Sequence, residues 1–169
     1  IVAGTVALLV VAHYVPWSAA YVDHFTQGLR IEDRATQMRA GEYRDAARLI
    51  ARYPVLGVGF GSPRDVDLYR GVSSLYLIVA ETIGIAGLAV FLVALGAVLS
   101  LLAAAWRRMA PGSPLRPVIL GCQAALVAAA VSGVFDHYFF TYPHAFALLW
   151  LVAGLGTSAV AVDAAERTK

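Results

Sequence analysis

Charge and cysteine are both scarce in this chain, and each scarcity excludes something. Charged residues make up 14% of its 169 positions. Several long stretches hold none at all, so they lack the polar face that a helix on a soluble surface carries. One cysteine, Cys122, rules out an intrachain disulfide, and its place in an apolar run marks it as a small apolar filler. No zinc spacing, phosphate loop or nucleic-acid module occurs, so no metal, cofactor or nucleic-acid partner is expected. Lysine is nearly missing too: twelve of the thirteen basic residues are Arg, and Lys169 is the other. No basic n-region precedes the first apolar run and no A-x-A-like site follows it, so the run does not read as a signal peptide. The chain starts at Ile1 inside that run, and further transmembrane helices of the same chain are expected ahead of it.

Apolar residues fill the space. They account for 60% of the chain, with a mean hydropathy of +0.71 and a net charge of +2. A soluble domain is about 45–50% apolar. Four uncharged segments stand out: Ile1 to Val22, Thr82 to Trp106, Pro117 to Phe135 and Ala145 to Val162. Each is close to the length of about 20 residues that crosses a hydrocarbon core as a helix. Helices are the expected form, because lipid offers no partner for an unpaired backbone group. Small residues recur in them (Gly84, Gly87, Gly96, Ala124, Ala125, Ala128 to Ala130), as close helix packing requires.

Orientation follows from the loop Arg107 to Arg116, which holds three Arg and no acid and is therefore cytoplasmic. The expected fold is all-α, a multi-pass transmembrane helical bundle with an extracytoplasmic helical loop. Residues 1–22 form a span, and 23–71 an outer loop with an amphipathic helix over about 32–53. Residues 72–106 form the next span, 107–116 the cytoplasmic loop and 117–135 a third span. Residues 136–144 make a short outer loop, 145–162 the last span and 163–169 a cytoplasmic tail. Trp17 and Trp106 lie near span ends, where indoles favour the interface.

Four groups in this frame can carry chemistry. In the outer-loop helix, Arg44, Arg48 and Arg52 repeat at i, i+4 and i+8, with Arg30, Arg34 and Arg39 before them, while Ala35, Met38, Ala46, Leu49, Ile50 and Tyr53 fall roughly at the spacing of an apolar face. Guanidinium forks match phosphate oxygens. The same residues also make a plain solvated face, paired with Glu32, Asp33, Glu42 and Asp45. Pro54 ends the helix, and Gly57-Val-Gly59-Phe-Gly61 follows as a tight turn or an anion-approaching loop; no strand precedes it, so it is not a dinucleotide motif. Asp136-His137-Tyr138, with Tyr142 and His144, ends the third span, either as an acid–base His oriented by Asp136 or as an aromatic interface belt. Glu81 stands alone beside a long apolar run, above the lipid or facing the bundle interior. His13 reads as a packed or interfacial residue.

These residues, in this order, resemble the C-terminal half of the O-antigen ligase-like and O-antigen polymerase membrane proteins. The outer-loop pattern of that family is an Arg, an aromatic residue four positions on, and a helix ending in P-x-x-G-x-G-x-G. Here it reads Arg39, Tyr43, then Pro54-Val-Leu-Gly57-Val-Gly59-Phe-Gly61, with Tyr43 where Trp is usual. Family members continue with H-N-x-x-L and a Glu before G-x-x-G. The counterpart here is Ser73-Ser74-Leu-Tyr-Leu77, then Glu81 and Gly84-Ile-Ala-Gly87. The resemblance covers roughly residues 31–162. It departs at Ser73, where the ligases carry a functionally important His, and at Ser74, where Asn is common.

The resemblance implies a glycosyltransferase of the bacterial plasma membrane. Its donor is a glycan on undecaprenyl pyrophosphate and its acceptor another glycan or a glycolipid, without metal or cofactor. Arg39 matches the pyrophosphate-binding Arg, with Arg34 and Arg44 beside it, and His137, Asp136 or Glu81 supplies the acid–base group in place of the missing His. The departure at Ser73 leaves a non-catalytic lipid-glycan binding or assembly subunit as a second reading. A transporter fits less well, since the charges gather outside nearly charge-free spans.

Overall fold

The computed structural model describes residues 34–60 and 72–167. The expected first span over 1–22, His13, Arg30 and Gly61 lie outside the described residues. Among these there are five helices and no strand: α1 (Arg34–Arg52), α2 (Leu75–Arg108), α3 (Arg116–Ser132), α4 (Tyr138–Thr141) and α5 (Pro143–Arg167). The chain divides into two compact units, Ile1–Gly41 and Glu42–Lys169, with the division inside α1.

Of the first unit, the opening turns of α1 are described. Arg39 is exposed there, and so is Met38, at 62% of its surface. Met38 therefore does not belong to a buried stripe, although its spacing suggested one.

In the second unit the rest of α1 buries Ala46 and Leu49 completely and leaves Arg44, Arg48 and Arg52 exposed. Arg48 pairs with Asp45 at 3.0 Å. The helix stops before Tyr53, one residue from the point that Pro54 dictates.

Helices α2, α3 and α5 pack together. Their shared core is Leu102, Met109, Ile119, Cys122, Leu126, Ala129, Leu149, Ala153 and Ala159. Small residues set the spacing: a Cβ on Gly156 would stand 3.0 Å from Leu102 Cδ2 and 3.1 Å from Cys122 Cβ. Ala129 is inside as well, whereas Ala124, Ala125, Ala128 and Gly96 face outward and take no part in that packing.

Two of these helices, α2 and α5, are long and apolar enough to cross a membrane. Only 11% of the most apolar stretch of α2 and 28% of that of α5 is buried. Val90, Val93, Leu151 and Leu155 point outward. A soluble core helix does the opposite, so these faces suit a hydrocarbon solvent. Helix α3 has 17 residues, a rise of about 26 Å at 1.5 Å per residue.

The start of α2 is fastened to the end of α3. The Leu75 N–H donates to the carbonyls of Gly133 (2.7 Å) and Asp136 (3.0 Å), and the Tyr76 hydroxyl donates to Ala130 O at 2.6 Å. One N–H of the first turn, which has no partner within its own helix, is thereby satisfied from a neighbour. At the other end Arg116 lies over the Trp106 ring, 4.6 Å from its centre, within the Arg-rich loop. The tail begins later than the charge pattern suggested, because Asp163 and Arg167 pair one turn apart and continue α5.

Candidate functional site

The Gly-rich turn after α1 reaches back onto α2. It begins with Tyr53 N–H to Leu49 O and Gly57 N–H to Tyr53 O. Gly57 takes φ +67°, a left-handed conformation that a side chain disfavours. Opposite it, α2 breaks at Gly84, with φ 75° and ψ 179°, a combination that is essentially glycine's alone. Three backbone hydrogen bonds join the two: Val58 N–H to Glu81 O and Gly59 N–H to Thr82 O, both 2.8 Å, and Ile85 N–H to Pro54 O, also 2.8 Å.

The break explains the pairing. In a regular helix the Ile85 N–H would bond the Glu81 carbonyl. Here each of those groups bonds the turn. Two of the three glycines in the G-x-G-x-G run are thus accounted for by a packed turn rather than by an anion loop. Gly87, by contrast, stays inside the regular part of α2.

Glu81 sits at this junction and is 2% exposed, so the bundle interior is where it faces. Thr82 beside it is buried too.

A second junction links α1 to the segment ahead of α2. The Glu42 carboxylate accepts from both donors of Ser73 through Oε2, at 2.8 Å from Oγ and 3.2 Å from the backbone nitrogen. The Tyr43 hydroxyl donates to the Ser73 carbonyl at 3.2 Å. Ser74 is buried, its Oγ 3.5 Å from Gly133 O. Tyr43, Ser73 and Ser74 are positions of the resemblance, and the charge pattern places Glu42 among the acids of a solvated face. Asp45 does belong to that face, but Glu42 spans 31 positions to Ser73 instead. The available signal was its place between Arg39 and Tyr43.

The third candidate group is looser. Asp136 Oδ1 accepts from Tyr138 N–H at 3.1 Å, an Asx-type turn that opens α4 inside what the sequence suggested was plain loop. His137 Nδ1 lies 3.6 Å from the same oxygen, too far for a hydrogen bond. The two groups lie at ion-pair distance without a hydrogen bond between them. The Tyr138 hydroxyl meets His144 Nε2 at 3.1 Å, and the Tyr138, Tyr142 and His144 rings cluster at 5.0–5.8 Å between centres. Phe60 stacks on Phe140 at 6.3 Å.

Among the described residues no group of three His, Cys, Asp or Glu is placed to hold a metal ion. Comparison with protein-family models, with curated proteins and with solved structures returns no match.

Proposed function

We propose that the chain is part of a membrane glycosyltransferase of the O-antigen ligase or polymerase type. It moves a glycan from undecaprenyl pyrophosphate to a glycan or lipid acceptor at the outer face of a bacterial plasma membrane. In this reading α2, α3 and α5 are spans of a multi-pass bundle, residues 107–116 are cytoplasmic, and α1 with its turn is extracytoplasmic. Arg39 binds the pyrophosphate, assisted by Arg34 and Arg44, and stabilises the charge that grows on the leaving group.

The observation that carries the reading is the meeting of motif positions far apart in sequence. Tyr43 bonds Ser73, and the turn from Pro54 to Gly59 bonds the Glu81–Ile85 break. A resemblance in order and spacing alone would not require the matched positions to touch.

A second reading, a non-catalytic lipid-glycan binding or assembly subunit, is favoured by Ser73 itself, which stands where the ligases carry a functionally important His. Deletion of the full-length gene in its host separates the two. Accumulation of undecaprenyl-linked glycan with loss of long or attached surface glycan supports transfer, and single-unit against polymerised precursor then divides polymerase from ligase. Unchanged glycans and intermediates reject the enzyme.

A further inference from the structure

We infer that Glu42, held by Ser73, is the general base that takes the proton of the acceptor hydroxyl. The inference rests on the glycosyl-transfer reading above and names a residue that the reading itself leaves open. Four outer-side carboxylates are described. Glu81 is enclosed, Asp45 Oδ1 is paired with the exposed Arg48, and Asp136 is exposed with its Oδ1 on the Tyr138 N–H of its own turn. Glu42 takes two hydrogen bonds on a single oxygen from one residue of a distant segment, whereas Asp45 and Asp136 meet these local partners. It is part-buried, and two donors from one residue fix its Oε2. No hydrogen bond among the described residues uses Oε1. One oxygen is therefore anchored and the other has no hydrogen bond among the described residues, which leaves it for a proton from substrate.

Ser73 is a positioning residue in this scheme. Its hydroxyl is donated to the carboxylate and is not itself the base. The Tyr43 hydroxyl on the Ser73 carbonyl keeps that segment against α1.

The step balances without an added reagent. The acceptor oxygen attacks the anomeric carbon and a new C–O bond forms. The bond from that carbon to the pyrophosphate oxygen breaks, and its electron pair leaves with undecaprenyl pyrophosphate. The hydroxyl proton passes to Glu42 and later to water.

Right-side-out vesicles from the deletion host, carrying the full chain and the lipid-linked glycan that accumulates there, provide the assay. Consumption of that glycan is followed for wild type, E42Q, E42D and S73A. Gln keeps an oxygen that accepts from Ser73, so a structural role predicts wild-type rates for E42Q. A general base predicts a fall in kcat of about 10²–10⁴-fold with KM nearly unchanged. E42D is expected to recover part of that loss, which a misfolded protein would not do, and S73A to fall by less than E42Q. Wild-type kinetics in E42Q overturn the inference while leaving the transferase intact. No consumption by wild type overturns both.

Discussion

A Cβ atom on Gly57 would stand 2.6 Å from the backbone nitrogen of Gly84, and a Cβ on Gly84 would stand 2.6 Å from the nitrogen of Leu56. Gly57 makes room for the main chain of Thr82 and Gly84, and Gly84 for that of Val55 and Leu56. Neither could be replaced by movement of a flexible side chain, because every nearby atom is backbone.

Gly57→Ala and Gly84→Ala are each expected to destabilise the chain by about 2–6 kcal/mol, from backbone strain together with overpacking. Thermal unfolding of the full-length protein in detergent measures it. The double variant should cost less than the sum, by about 0.5–3 kcal/mol, since the first substitution already undocks the turn. Strict additivity would mean that the two glycines act separately.

Arg39→Ala should abolish glycan transfer without loss of folded protein, and lipid-linked precursor should accumulate. Arg39→Lys keeps the charge and loses the planar fork, so a drop of about tenfold or more is expected. Normal surface polysaccharide from the Ala variant would remove Arg39 from the site.

Orientation is open to direct labelling. In a Cys122→Ala background, Phe60→Cys should react with an impermeant maleimide on intact cells, because Phe60 is 78% exposed and its segment is read as external. Gly112→Cys, in the Arg-rich loop, should react only after permeabilisation. The opposite pattern would invert the topology.

Asp136→Ala should cost about 0.5–1.5 kcal/mol, the net value of one hydrogen bond to the Tyr138 N–H. Asp136→Asn should restore most of it, since an amide oxygen serves the same turn. If instead both variants stop glycan transfer with stability unchanged, Asp136 acts on substrate and the assignment of the base to Glu42 fails.

The sequence made the helices legible and hid what joins them. Apolar runs and Pro54 located α1, α2, α3 and α5 within a few residues, because span length and helix stops are local properties. The break at Gly84 was not legible. Gly84 and Gly87 looked alike as small packing residues, and only the docked turn distinguishes them. Asp163 looked like the start of a tail until its pairing with Arg167 extended the helix. The role of Glu42 is hidden for the same physical reason. Its nearest charges along the chain offered plausible partners, and the hydroxyl it binds lies 31 positions away.

The exchange at the break also bears on how the protein is made. The carbonyls of Glu81 and Thr82 and the amide of Ile85 find their partners in residues 54–59. Until that turn docks, these three groups lack the partners it supplies. The start of α2, up to the break at Gly84, therefore settles together with the turn. Residues 54–59 leave the ribosome first, so on the topology proposed above translocation of their loop is a precondition for completing the helix that follows it, and an insertion error in one is an assembly error in the other.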